Sequence, residues 1–220
     1  YDVAIHYHRQ EGVALGLRDK LKNSRTKCIV CTADIVHEDQ VVGMVEQVVR
    51  QLGTITLLVN CVTAKIPTIK LASLSWENMQ HHFDVNIKGM FHLAKFVVPV
   101  FEAQKYGKII TFTTQSIETP TVGWLPYITA KSAMQGFSKA MAVELAPKGI
   151  TVNMISPGMT DTELIMDIPE KSRLMVAARA PLHRLARPED IAGAVSFLAS
   201  PKADYITGET IRINGGQVML

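Results

Sequence analysis

The sequence predicts a doubly wound α/β domain, a parallel sheet with helices on both faces. Short apolar runs of strand length alternate with longer stretches of helical period, the pattern of parallel strands joined by crossover helices. The 220 residues, 47% hydrophobic and 20% charged, suffice for one well-buried core and are few for two. No repeat, low-complexity tract or linker interrupts them. Residues 1–220 are therefore expected to form a single domain.

Apolar runs place strands at Asp2–His8, Lys27–Asp34, Thr54–Asn60, Gly107–Thr114, Gly149–Ser156 and Thr210–Asn214. Helical periods between them place helices at Glu11–Lys22, Glu38–Gln51, Ser75–Gln104, Tyr127–Ala146 and Pro188–Ala199. Pro188 suits a first helical position, and Glu189 and Asp190 follow in the first turn, where the helix dipole favours acids. The chain enters its first strand directly after Tyr1. A dinucleotide-binding fold opens instead with a strand, a Gly-rich phosphate loop and a helix. The expectation is that about 25 to 35 residues, one βα unit with its loop, are missing before Tyr1. Without that central strand, the strands at 2–8 and 27–34 lose their link to the one at 54–60, leaving two edges facing across a gap. The same omission removes the amides that cradle a pyrophosphate, so the chain alone is expected to bind a dinucleotide poorly and not to complete the architecture.

The net charge of +3 is spread without a basic run, so no nucleic acid partner is expected, and apolar stretches such as Ile55–Val59 fall far short of the roughly 20 residues that span a bilayer. Three cysteines fit a reducing compartment, with cytoplasm the default. Cys28 and Cys31 form a CxxC, but in a strand they point to opposite faces; they read as ordinary thiols, and no metal is expected.

The chemistry concentrates at Tyr127-Ile-Thr-Ala-Lys131. Four residues apart on a helix, the two side chains share a face, and a neighbouring cation favours the phenolate of a group whose ordinary pKa is about 10. Alone, this spacing is as compatible with a surface Tyr and Lys. Thr114, flanked by Thr113 and Ser116, ends a predicted strand thirteen residues earlier, in the crevice where doubly wound sheets bind ligands. Its hydroxyl there can donate to a carbonyl or alcohol oxygen.

With these motifs stand Leu57-Leu-Val-Asn60, Asp84-Val-Asn86-Ile-Lys-Gly89, Val152-Asn153, Ser156-Pro157-Gly158, Thr207-Gly208-Glu209 and Asn214-Gly215-Gly216. Together they resemble the short-chain dehydrogenase/reductase family, with a Rossmann-type fold, over nearly the whole chain. The resemblance implies a nicotinamide-dependent oxidoreductase with a catalytic tetrad of Asn86, Thr114, Tyr127 and Lys131. It gives Asn86 a helix irregularity and a water that passes protons to Lys131. Thr114 stands where the family has Ser, and Asn60-Cys61-Val62-Thr63 keeps only the first residue of the family's Asn-Asn-Ala-Gly turn.

Cofactor contacts implied by the same resemblance are Asn60, Tyr127, Lys131, Pro157, Gly158 and Thr160, with Asp34 on the adenine ring and Thr162 on the carboxamide. At the end of the second family strand stands His6-Tyr7-His8-Arg9, where an acid would bind the ribose hydroxyl of NAD. His8 and Arg9 there suit a 2′-phosphate, hence NADPH, though a solvated basic turn reads the same way. Residues 159–183 are expected to form a lid over an apolar substrate, with Trp124 and Leu125 in the pocket; the Met and Leu stripe there also fits a helix core.

The leading expectation is an NADPH-dependent ketone reductase similar to 3-oxoacyl-acyl-carrier-protein reductases, with Lys105 and Lys148 placed like their carrier-docking residues. A sugar, polyol or aromatic polyketide dehydrogenase, or a non-catalytic subunit of the same fold, stays open. The substrate is a small-molecule or carrier-bound carbonyl. The helix carrying Tyr127 has apolar residues on more than one face, and with the resemblance implies a homodimer or homotetramer.

Overall fold

The computed structural model describes residues 1–21, 25–66 and 68–219. All its strand pairs are parallel. In chain order, β1 (Val3–Tyr7), α1 (Glu11–Leu21), β2 (Cys28–Thr32), α2 (Glu38–Leu52) and β3 (Leu57–Asn60) form the first half. Then come α3 (Trp76–Phe83), α4 (Gly89–Gln104), β4 (Gly107–Phe112), α5 (Leu125–Leu145), β5 (Ile150–Pro157), α6 (Glu170–Arg179), α7 (Pro188–Ala199) and β6 (Thr210–Ile213). The expected first helix reached Lys22, which lies outside the described residues.

The strands form two sheets, β1-β2 and β3-β4-β5-β6. Among the described residues, β1 pairs only with β2 and β3 only with β4. Burial follows from this. Gly107–Thr111 of β4, with neighbours on both sides, are all buried, whereas all of β1 and residues 57–59 of β3 stay half-buried. The two sheets nevertheless share a core. Cys31 of β2, Val41, Val45 and Val48 of α2, Leu93, Val97 and Phe101 of α4 and Ile109 of β4 belong to one buried apolar cluster. Fully burying each such aliphatic or aromatic side chain is worth about 1.5 to 3 kcal/mol. On the opposite face Ile110 and Ile155 pack with Ile191 and Leu198 of α7. Neighbouring Ile109 and Ile110 thus serve opposite cores, as the strand's period of two requires.

Where the elements differ from expectation, local chemistry accounts for it. The helix expected over 75–104 is broken by one π turn at Asp84–Lys88. Ser75 lies outside it as the cap, receiving the Asn78 N–H while Asn78 Oδ1 accepts from the Ser75 N–H at 3.2 Å. α5 begins two residues before Tyr127, because Pro126 fits a first turn that has no use for its missing N–H. Ala146 falls in a tighter turn ended by Gly149 at φ +75°, where an added Cβ would lie 2.4 Å from the Lys105 carbonyl. α7 starts as expected: Asp190 accepts from the Arg187 N–H at 2.7 Å and pairs with both guanidinium nitrogens of Arg184. These contacts hold its carboxyl well below the usual range, Arg184 first. The segment after β5 carries a short 3-10 turn and α6, whose Leu174 and Met175 face outward.

Two β2 thiols behave as packing groups. Cys31 is 3% exposed and burial pushes it up to about 11, while Cys28 is half-buried. Among the described residues no helix is long and apolar enough to cross a membrane.

Candidate active site

β4 delivers its C-terminal end to the base of a cavity of about 850 Å³. Thr113 continues the strand, its N–H donating to Ile155 O at 2.9 Å, and Thr114 then caps the following turn by accepting the Ser116 N–H at 3.2 Å. The Thr114 side chain also hydrogen-bonds Tyr127. The early start of α5 places Tyr127 in its first turns, 6% exposed, with Lys131 one turn on at 3%. Lys131 Nζ donates to Phe112 O at 2.9 Å, tying the helix to the strand end. Behind them, the π turn buries Asn86 completely; its Nδ2 donates to His82 O at 2.9 Å.

Two rings brace Tyr127 edge-on: Trp124 at 6.0 Å and 87°, and His82 at 6.3 Å and 76°. Burial raises the phenol pKa, outweighing the Thr114 hydrogen bond, which lowers it. Desolvation of the anion dominates, so Tyr127 keeps its proton at neutral pH, as a proton donor needs. Burial brings Lys131 down to about 8, so it remains mostly an ammonium at pH 7.

The structure gathers Thr114, Tyr127, Lys131, Pro157, Gly158, Thr160 and Thr162 around this one cavity. Among the described residues, Lys131 and Arg179 are the only cationic side chains on its wall, and no carboxylate lines it. Asn86 and Asn60 lie behind the wall. Asn60 is 4% exposed; its Oδ1 accepts from Val62 N at 3.1 Å, while Cys61 and Thr63 reach the cavity. His8, Arg9 and Asp34 stand apart, beyond the ends of β1 and β2. There Asp34 Oδ2 lies 3.7 Å from His8 and 3.9 Å from His37, and Arg9 is exposed. Trp124 lines the cavity; Leu125, at 39% exposure, does not. Leu164, Ile165 and Val176 supply apolar wall from the segment after β5, but Met166 points outward at 63% exposure.

Three wall or neighbour residues had no sequence signal. His82 precedes Asn86 by one turn yet reads as a surface helix position. Gln115 and Gln217 meet at 2.5 Å across the cavity, and Gln217 Nε2 also donates to Val176 O of α6 at 3.0 Å. Contacts spanning a hundred residues leave no local pattern.

Thr114 serves both Tyr127 and its own turn, whereas Ser116 contributes a backbone N–H. Thr114→Val is therefore expected to lower turnover about 30-fold, the worth of one hydrogen bond to a developing charge, and Ser116→Ala to stay within about threefold. Steady-state rates of the two variants check this; the reverse ranking would refute it.

A family model described as Enoyl-(Acyl carrier protein) reductase matches residues 1–217. A 3-oxoacyl-[acyl-carrier-protein] reductase of Staphylococcus epidermidis is 32% identical over 221 residues, covering 100% of this chain and 89% of that one. An acetoacetyl-CoA reductase of Allochromatium vinosum is 33% identical over 192 residues, 86% of this chain and 77% of the relative. Among solved structures, a 7 alpha-hydroxysteroid dehydrogenase complexed with NADH and 7-oxo glycochenodeoxycholic acid superposes with a TM-score of 0.93. It is 26% identical, and the match covers 98% of this chain and 84% of that one.

Proposed function

This chain belongs to the short-chain dehydrogenase/reductase family and is an NAD(P)-dependent oxidoreductase acting on CH–OH/C=O groups; we propose that it is an NADPH-dependent reductase of 3-oxoacyl thioesters, free or on an acyl carrier. The observation that carries this reading is that buried Tyr127 and Lys131 share with Thr114 the wall of a largely apolar cavity.

The residues present fit a nicotinamide cofactor. The Thr160 and Thr162 hydroxyls bond only to nearby backbone carbonyls, Gly158 O and Thr160 O, and can turn to a carboxamide. Pro157 and Gly158 complete that wall, and Tyr127 and Lys131 would hold the ribose. His8, Arg9 and Asp34, with Asn60 between, would hold the adenosine end. When bound, the reduced nicotinamide supplies the hydride. Thr114 donates a hydrogen bond to the substrate carbonyl oxygen and orients it. Tyr127 gives its proton to the alkoxide as it forms, and the Lys131 ammonium then stabilises the phenolate and returns a proton to it. The apolar walls from Ile165, Leu164 and Val176 exclude water from this exchange and suit an acyl chain.

NADPH oxidation by the full-length protein against 3-oxoacyl thioesters, simple ketones, quinones and sugars tests the reading. Thioesters should be reduced fastest; a sugar or quinone preferred over them would overturn the substrate class. The proposal includes a cytoplasmic setting and a homodimer or homotetramer, for which exposed Phe91 of α4 and Val143 of α5 supply apolar surface. Lys105 and Lys148 remain the proposed carrier contacts. Lys148 is engaged at 2.5 Å by Glu102, so an acidic carrier has to take it from that partner.

Nucleotide choice rests on Arg9, whose guanidinium suits a 2′-phosphate. Arg9→Asp is expected to weaken NADPH about tenfold or more, one charge-assisted hydrogen bond, and to improve NADH. Dissociation constants for both nucleotides check it; a parent that prefers NADH refutes it.

A further inference from the structure

His82 is 3% exposed on α3, packed edge-on against Tyr127 and within electrostatic range of Lys131. Burial, then the charges of His81 and Lys131, bring its pKa down to about 4, so the ring is neutral at neutral pH. Among the described residues Nδ1 has no partner; the neutral ring carries one N–H, and with it on Nε2 the Nδ1 atom presents a lone pair. One turn on, Asn86 Oδ1 is a second buried polar atom without a partner among the described residues, although its own Nδ2 holds His82 O. A Phe at position 82 would give the same edge-on contact to Tyr127 without the free-energy cost of an unmet buried acceptor. An imidazole is worth that cost only if Nδ1 is used.

We propose that His82 is a positioning residue for the proton donor: its ring braces Tyr127, and Nδ1 accepts a hydrogen bond from the solvent molecule that returns a proton to Lys131. This rests on the reading of Tyr127 as proton donor. In each turnover Tyr127 gives its proton to the alkoxide, Lys131 gives one to the Tyr127 phenolate, and solvent returns one to Lys131. His82 neither gains nor loses a proton. It orients the last of these transfers by holding the donor's second hydrogen, with Asn86 Oδ1 placed to share the task.

Two variants separate ring from acceptor. His82→Phe keeps the ring and removes Nδ1; His82→Asn keeps a polar acceptor near the same place and removes the ring. In the full chain with NADPH and a 3-oxoacyl thioester, His82→Phe is expected to lower kcat about tenfold, the loss of one hydrogen bond in the proton path, with both KM values within about twofold. Its solvent deuterium isotope effect on kcat should rise as proton return becomes slower, while its thermal midpoint stays at or above that of the parent. His82→Asn should recover part of the lost kcat. A parental kcat and isotope effect in His82→Phe would overturn the proposal. Nitrogen NMR of histidine-labelled protein reads the contact without turnover. Nδ1 should be unprotonated and shifted as a hydrogen-bonded acceptor; the position of a free imine nitrogen would overturn it. A chain that reduces no carbonyl yet shows that shift would sink the function reading alone.

Discussion

Tyr127→Phe is expected to lower kcat about 1000-fold while the cofactor dissociation constant changes little. The phenol keeps its proton at neutral pH and lies at the Thr114 hydroxyl, where a substrate oxygen would be held. General acid catalysis contributes about 100- to 10,000-fold, so its removal leaves hydride transfer to make an unprotonated alkoxide. The fold should tolerate the change. Phe keeps the edge-on contacts with Trp124 and His82, and the lost hydroxyl leaves Thr114 still bonded to the Ser116 N–H. Single-turnover rates with thioester, alongside nucleotide titration, separate the two effects. A variant within about threefold of the parent would remove Tyr127 from the mechanism.

How far the sequence anticipated this site depends on what kind of information each feature needs. The six strands and the face shared by Tyr127 and Lys131 follow from periods of two and 3.6 residues, which are local. So does the α7 start at Pro188, where the capping acid lies two residues further on. The π turn at Asp84–Lys88 leaves the apolar pattern around it helical, and so a single helix over 75–104 was the natural reading. The resemblance, not the period, pointed to an irregularity at Asn86. The division of the sheet could be drawn from strand order alone: among the described residues no strand pairs β1 with β3, and their half-buried residues record it. What could not be read were quantities set by enclosure. The rise in the Tyr127 pKa requires knowing that the ring is 6% exposed. His82 looks polar and solvated by spacing, and only the fold shows it pressed against the tyrosine.

Lys131→Met should show the opposite signs in stability and activity. In the unfolded chain the ammonium has its ordinary pKa of 10.5, whereas burial brings it to about 8 in the folded protein. Below pH 8 the group is charged in both states, and the folded state carries the full desolvation penalty, on the order of 3 kcal/mol. As pH rises from 8 toward 10.5, the folded chain sheds this proton while the unfolded chain keeps it, so the penalty is relieved and parent stability increases over that window. Met fills a similar volume without the charge. Its cost is the hydrogen bond to Phe112 O, about 1 kcal/mol. The variant should therefore be about 2 kcal/mol more stable than the parent at pH 7, and the difference should shrink toward pH 10.5. Turnover should fall about 100-fold or more, because the phenolate formed at Tyr127 loses both its counter-charge and its proton source. The parent's rate in the reducing direction should also decline above about pH 8, where Lys131 gives up its proton, and this limb should vanish in the variant. Denaturant unfolding from pH 7 to 10 and the matching rate profile check both halves. A variant less stable than the parent at pH 7 would mean that Lys131 is paired more strongly than its single backbone contact provides. Retained activity would mean that Tyr127 needs no cation.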